Sequence, residues 1–296
     1  MGSGPLISLS PLRNDTDLAG DEWIGFGLSF LLSRYLATDG TVTALIDSQA
    51  GLAQKKPQYK IDGLFQHTNG WLRIFVQLKS AEGELSGQWS VETPYPLHKQ
   101  FFTGLNGVAQ NILAKLGSTK INARAMTAIQ NETDKVVAYE NFIKGKMALE
   151  KYDPNQIEVA TIWFEESIRE DGRYTQPYFG LMDAYGFSSL VHKQKGEAYS
   201  QDLETLQETF QMLKKKSGGS AGENRFLAAH VHYVTGIRAF EAGNAAKAAA
   251  ELQQAADLVP EDGVTAYALS QSYDKIGQPG LALKYRQRAK GSDSCL

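Results

Sequence analysis

The stretch from His230 to Lys290 repeats at a fixed spacing, and this period constrains the fold more than any other feature of the chain. Three pairs of small residues are each separated by 34 positions: Gly243 and Gly277, Ala248 and Ala282, and Ala255 and Ala289. A period of this length indicates a repeated helix–turn–helix unit. Because one pair of antiparallel helices cannot bury its apolar face alone, such units must stack on one another.

The details of the repeat resemble the tetratricopeptide (TPR) unit. Gly243 and Gly277 are expected in the turn between two helices, where a positive φ is cheap only for glycine. Two less regular pairs precede them, so we predict an all-α, TPR-like solenoid of four pairs over residues 137–291. Their helices are expected at Tyr139–Glu150, at Ile157–Arg169, from Thr175, and at Leu203–Leu213, with Ser188–Glu197 as a lengthened connection. The cationic last helix, Leu281–Lys290, should form a polar cap.

The first third of the chain has the alternating pattern of a sheet. Strands are expected at Leu6–Leu12, Thr41–Ile46, Tyr59–Gln66, Trp71–Ser80 and Gln88–Thr93. Amphipathic helices are expected at Asp21–Leu36 and Leu97–Leu116. Asn69-Gly70 is a hairpin turn signal. The order of these strands and helices predicts an α+β domain, with helices on one face of a mixed sheet and an opposite face that is at least half exposed to solvent.

Two segments of this region resemble the TolB-like N-terminal domain. One is ISLSPLRNDTDLAGDEWIGFGLSFLLSRYL, and the other is YKIDGLFQHTNGWLRIFVQLKSAEGELSGQWSVE. The likeness covers residues 5–117 and contains no catalytic motif. A TolB-like domain followed by TPR units is the layout of the periplasmic part of CadC-type regulators, so the resemblance implies a bacterial sensory or envelope protein. Residues 118–136 are predicted to be a linker or a short docking helix.

Composition narrows the class of protein. A net charge of −3 and a pI near 6.0 argue against a nucleic-acid-binding surface in this region. No stretch approaches the roughly 20 apolar residues of a membrane span. Cys295 is the sole cysteine, so no intrachain disulfide forms, which fits either the periplasm or the cytoplasm. Met1-Gly2-Ser3-Gly4 resembles a cloning remnant, so a signal peptide, membrane span or DNA-binding segment upstream of Leu6 stays open.

Motifs for catalysis are weak. A G-x-S-x-G pattern at residues 218–222 follows a lysine-rich helix end, whereas a nucleophile elbow needs a preceding strand. His230 and His232 point to different sides of a helix and cannot share a metal. His67, His98 and His192 are scattered among turn-like segments. We therefore predict no catalytic residues, no metal, no cofactor and no enzyme activity.

A binding surface is the remaining hypothesis, because the first helices of stacked TPR units line a concave groove. Four aromatic residues occupy equivalent places on these helices: Phe142, Phe179, Tyr233 and Tyr267. The neighbouring candidates for partner binding are Tyr139, Lys146, Asp183, His230, Gln271, Ile237 and Asp274. These rings could also pack against adjacent helices or the N-terminal domain, and their spacing does not separate the two alternatives.

The sequence thus predicts a non-catalytic module that recognises a protein or peptide through its groove. If so, replacing Tyr233 and Tyr267 with alanine should abolish capture of the partner and leave the melting temperature nearly unchanged. The alternative is a small-molecule-sensing domain of a membrane-bound transcription regulator, with the effector at the junction of the two domains.

Overall fold

The computed structural model describes residues 4–16, 20–47, 56–118, 121–151, 153–216, 225–259 and 262–290. The chain divides into two compact units, Met1–Ile143 and Lys144–Leu296. The fold class is as predicted, with helices on a mixed sheet followed by TPR-like helix pairs. Two sequence features, Cys295 and the G-x-S-x-G pattern, lie outside the described residues.

The first unit contains a mixed sheet. Its strands are β1 (Leu6–Leu9), β2 (Arg13–Asn14), β3 (Thr43–Ile46), β4 (Tyr59–Thr68), β5 (Trp71–Ser80) and β6 (Leu85–Pro94). The order is β3-β1-β4-β5-β6, with β2 also paired to β4. β1 runs parallel to β3 and β4, whereas β4, β5 and β6 form an antiparallel meander.

The meander confirms the predicted turn and the predicted alternation. Asn69 and Gly70 both have positive φ, at 52° and 77°, as a two-residue hairpin turn requires. In β5, Leu72, Ile74, Val76 and Leu78 are fully buried, while the residues between them are exposed or half-buried. One face of the sheet is therefore core and the other meets water.

Two helices, α1 (Glu22–Ala37) and α2 (Gln100–Lys115), cover the buried face of this sheet. A third helix, α3 (Ala123–Gln130), packs against both of them. A Cβ on Gly104 of α2 would come within 2.5 Å of Val91, so glycine allows close approach of this helix to β6. The segment predicted to be a linker or a docking helix contains α3, and Met126 of α3 is fully buried.

The helix α4 (Val136–Leu149) follows, and the boundary between the two compact units falls within it. The later helices are α5 (Ile157–Glu170), α6 (Gln176–Lys195), α7 (Ser200–Lys216), α8 (Arg225–Glu241), α9 (Ala245–Leu258), α10 (Gly263–Lys275) and α11 (Pro279–Lys290). None of the helices in the described ranges combines the length and apolar character that a membrane span requires.

The prediction of a lengthened connection at Ser188–Glu197 was wrong, because α6 continues to Lys195. The serine-rich sequence looked like a loop, yet Ser188, Ser189 and Leu190 are all buried. The Ser189 hydroxyl donates to the carbonyl oxygen of Gly186 one turn earlier, at 2.9 Å, and so stays compatible with the helix. Burial of this half of α6 outweighs the low helix propensity of serine.

Small residues let the helices cross closely, as the repeat predicted. Gly243 and Gly277 have φ of +80° and +71°. Ala248, Ala255, Ala282 and Ala289 are buried. A Cβ on Gly236 would lie 2.6 Å from Leu252. The Phe164 ring packs against both Gly145 of α4 and Gly180 of α6.

The last pair ends the stack with polar side chains. Ile237, Phe240 and Leu252 are buried in the third pair, and 34 positions later their places are taken by Gln271, Asp274 and Arg286. Arg286 and Asp274 form a salt bridge with each other. Since these replacements turn an apolar stacking surface into a charged one, the last helix pair has the polar cap expected from the sequence.

Candidate functional site

The predicted groove residues are separated between the two compact units. Tyr139 and Phe142 lie in the core of the first unit, where the Tyr139 hydroxyl donates to the carbonyl oxygen of Gly27 at 2.6 Å. The Phe142 ring meets Phe30 edge-on, with the centroids 5.5 Å apart. Both residues are 2% exposed. The rings of Tyr139 and Phe142 thus pack in the core, which is the second of the two alternatives left open by the sequence.

The other predicted residues belong to the second unit, and several of them converge between α6 and α8. The His230 ring lies 4.7 Å from the Phe179 ring, and His230 Nε2 is 3.1 Å from Asp183 Oδ1. Tyr233 approaches Gly186 so closely that a Cβ there would overlap its hydroxyl. All these groups are buried, so in this structure they join two helices and form no open groove.

Tyr267 extends this packing to α10. Its ring meets the Phe187 ring edge-on at 5.2 Å, so α6 contacts both α8 and α10. Of the remaining candidates, Ile237 is buried, Lys146 and Gln271 are half-buried, and Asp274 is exposed in its salt bridge with Arg286.

A carboxyl that the sequence did not single out, that of Asp262, completes this polar cluster. Asp262 caps α10 by accepting from the Val264 amide at 3.0 Å, and the Thr265 hydroxyl also donates to it. Removal from water and the nearby Asp183 raise the pKa of Asp262 above its ordinary value; Thr265, His230 and Lys146 act in the opposite direction. The His230–Asp183 contact joins α6 to α8. The Asp262 carboxyl at the start of α10 lies near enough to this pair, and to the Lys146 ammonium of α4, to interact with them electrostatically.

A second cluster has the residue types of a hydrolase triad without its geometry. His192 Nδ1 lies 2.7 Å from Asp202 and 3.4 Å from the Ser188 hydroxyl, and that hydroxyl also donates to Asp202 at 3.2 Å. In a working triad the acid and the nucleophile bind opposite nitrogens of the ring. Here both lie at the same nitrogen, so the arrangement joins α6 to α7 and does not have the geometry that activates a serine.

The remaining histidine of the repeat region also joins helices. His232 Nδ1 of α8 is 2.8 Å from Glu251 of α9. His230 and His232 therefore contact carboxylates on two different helices, α6 and α9. Within the described residues, no group of three or more His, Cys, Asp or Glu side chains is arranged to hold a metal ion.

An open cleft lies between α7 and α8, and it consists of two adjoining hollows of about 510 and 500 Å3. Gln207 and Arg238 line both hollows. The first hollow is completed by Leu203, Glu204, Glu208 and Glu241. The second is completed by Phe210, Gln211, Val231, Val234, Thr235, Ala239, Ala242, Asn244 and Lys247. We call these two hollows together the α7–α8 cleft.

The cleft exists because the stacking of the helix pairs is interrupted at this place. α5 packs along α6, and α9 packs along α10, as consecutive pairs of a solenoid do. α7 packs along α6 but touches α8 only lightly. Val234 and Ala239 therefore form an apolar floor beside the half-buried Phe210, with charged side chains at the rim.

The cleft was not predicted from the sequence. The apolar spacing in Leu203–Leu213 predicted α7 correctly. Leu203, Leu206, Phe210 and Leu213 lie within about 80° of one helix face at 3.6 residues per turn. Leu206 and Leu213 are buried, whereas Leu203 and Phe210, at one edge of this face, remain half-buried. The periodicity predicts the apolar face, but it could not show that one edge of this face stands apart from the next helix.

No family model matches this chain, and no curated protein matches it. Among solved structures, a single-substitution variant of the PelC dodecamer from Paraburkholderia phytofirmans is 12% identical, covers 40% of this chain and 91% of that chain, and has a TM-score of 0.29. A second PelC dodecamer structure from the same organism is 14% identical, covers 39% of this chain and 89% of that one, and has a TM-score of 0.27. Likeness at this level carries no conclusion about fold or function.

Burial of the aromatic candidates leads to a stability prediction. Replacing Tyr233 and Tyr267 with alanine should destabilise the second unit, since large buried aromatic truncations cost about 3–5 kcal/mol each. Thermal unfolding followed by circular dichroism should show a large fall in melting temperature. The half-exposed Ile162 is the control, because its replacement by alanine removes little buried area. A double tyrosine variant that melts like the Ile162 variant would restore the groove hypothesis for these rings.

The raised pKa of Asp262 predicts a pH-dependent effect of Asp262→Asn. The folded state favours the protonated carboxyl, so the cost of ionising it is absent below the ordinary pKa and grows as the pH rises through the raised value. Asparagine can still cap α10. The free energy of unfolding of the D262N variant should therefore rise relative to wild type as the pH is raised above about 4, the ordinary pKa of an aspartate.

Denaturant titrations at several pH values would measure this difference. Asp257→Asn, at an exposed carboxyl of α9, is the matched control and should show no such trend. A constant difference between D262N and wild type across the range would mean that the Asp262 carboxyl is not desolvated.

Proposed function

We propose that this chain is a non-catalytic recognition module whose second unit binds a segment of a partner protein in the α7–α8 cleft. The observation that carries this proposal is the interruption of helix stacking, which leaves an apolar floor open between two helices. The residues predicted for a concave groove pack between the inner helices, so the proposed binding surface moves from that groove to the cleft.

The chemistry of the lining supports binding of a protein segment. Half-buried Phe210 and Leu203 are apolar anchoring points, while Glu204, Glu208, Arg238 and Lys247 surround them with exposed charge. An apolar centre with a polar rim is typical of protein interfaces. A cleft between two antiparallel helices also suits a third helix, whose residues at i, i+3, i+4 and i+7 can reach the floor.

The histidine and carboxylate side chains outside the cleft have a structural role, although such residue types often serve in catalysis. Each histidine of the second unit lies beside a carboxylate on another helix, at His192–Asp202, His230–Asp183 and His232–Glu251. These groups stabilise helix packing, and none of the three pairs lines either hollow.

The biological setting is proposed from the resemblance to TolB-like domains with TPR units. That resemblance supports a role in the sensory or assembly part of a bacterial signalling or envelope protein, and a location in the periplasm. Fractionation of cells that express the full gene would test this location, and a protein confined to the cytosol would contradict it.

A blocked-cleft variant tests the proposal. Peptides would be selected from a displayed library of helical 17-residue sequences against the wild-type chain, and their affinities measured by fluorescence anisotropy. Gln207→Trp should abolish their binding, because residue 207 borders both hollows. Gln201→Trp, at an exposed position on the same helix outside the cleft, should leave binding unchanged.

Circular dichroism would confirm that both tryptophan variants are folded. Failure to enrich any peptide, or equal binding by the Gln207 and Gln201 variants, would contradict recognition at the cleft.

A further inference from the structure

The two hollows of the α7–α8 cleft carry opposite charge. Of the described residues that line the first hollow, Glu204, Glu208 and Glu241 are acidic and Arg238 is the single cation. The described residues that line the second hollow include Arg238 and Lys247 and no acidic residue. The cleft is therefore acidic at one end and basic at the other.

These charges are available to a ligand. Within the ranges that the structure describes, no salt bridge involves the side chains of Glu204, Glu208, Arg238 or Lys247. All four residues are exposed. Glu241 differs from them because the Tyr199 hydroxyl donates a hydrogen bond to it. Four charges on the rim, those of Glu204, Glu208, Arg238 and Lys247, thus lack salt-bridge partners among the described residues.

Two of these placements are locally unfavourable. Glu204 and Glu208 are four residues apart on α7, a spacing at which like charges repel and weaken a helix. Lys247 occupies the first turn of α9, where the helix dipole and the unpaired backbone amides disfavour a cation. A cation bound beside the two glutamates and a carboxylate bound beside Lys247 would relieve both costs.

One buried polar atom also lies at the join of the two hollows. Gln207 Oε1 is buried and has no hydrogen-bond partner in the described part of the chain. A buried acceptor in this state is unfavourable, and a donor brought by a ligand would satisfy it after a small rotation of the side chain.

We infer that the α7–α8 cleft takes an amphipathic helical segment of a partner protein that is itself dipolar. This segment presents a lysine or arginine to Glu204 and Glu208, apolar side chains to Phe210 and Val234, and a carboxylate to Lys247. The inference rests on the proposed function, since it names the class of segment that the same cleft binds. Charge complementarity sets which segments are preferred, and the apolar floor supplies the common part of the affinity.

Parallel selections from one displayed library of helical 17-residue peptides test the inference. Peptides recovered with wild type should carry both a cation and a carboxylate beside their apolar positions. Glu204→Lys with Glu208→Lys makes both ends of the cleft basic, so acidic peptides should be recovered. Lys247→Glu makes the cleft predominantly acidic and should recover basic peptides. Glu158→Lys on α5, an exposed change outside the cleft, is the control and should recover the wild-type set.

The size of the charge effect is measured with the peptides that were selected on the wild-type chain. Each charge change should weaken their binding roughly three- to tenfold at low ionic strength, and the difference should largely vanish near 1 M salt. If Gln207→Trp abolishes binding but every selection recovers peptides with the same charges, the inference is wrong and the proposed function stands. If the recovered peptides bind the Gln207→Trp variant as tightly as wild type, both the inference and the proposed function are wrong.

Discussion

The helix α6 determines how the second unit is built, because it is buried on nearly every side. From residue 177 to residue 191 the half-buried Tyr185 alone escapes full burial. A helix of this kind cannot lie at a surface, so its neighbours must surround it. Its small residues decide where they approach: Phe164 packs at Gly180, and Tyr233 packs at Gly186.

Burial of α6 also explains the polar clusters. Asp183 and Ser188 lie on a helix without a solvent-exposed face, and burying a polar group is unfavourable unless the group forms a hydrogen bond. His230 meets Asp183 from α8, while Asp202 meets Ser188 and His192 from α7. Asp183 and His230, which the sequence suggested for partner binding, are thus among the groups that join the helices around α6.

Much of the fold could be predicted from local chemistry. Gly243 and Gly277 revealed the repeat because a turn with positive φ tolerates few other residues, and Asn69-Gly70 revealed the hairpin for the same reason. The buried row of β5 followed from strict alternation. Ser188 and Ser189 misled the prediction because their propensity favours loops, and their burial depends on helices that are distant in sequence. Likewise Asp183, His230 and Asp262 come close together only through tertiary packing, and the α7–α8 cleft depends on how lightly α7 and α8 touch.

The helix α6 is the centre of the second unit, and we propose that recognition occurs where helix stacking around it is interrupted. Hydrogen–deuterium exchange followed by mass spectrometry tests this most directly, since amides that open only on unfolding of the whole unit exchange slowest. The account predicts that amides of residues 178–191 are the slowest to exchange in the second unit, and that those of α7 and α11 exchange faster. Exchange of α6 as fast as that of α7 or α11 would contradict it.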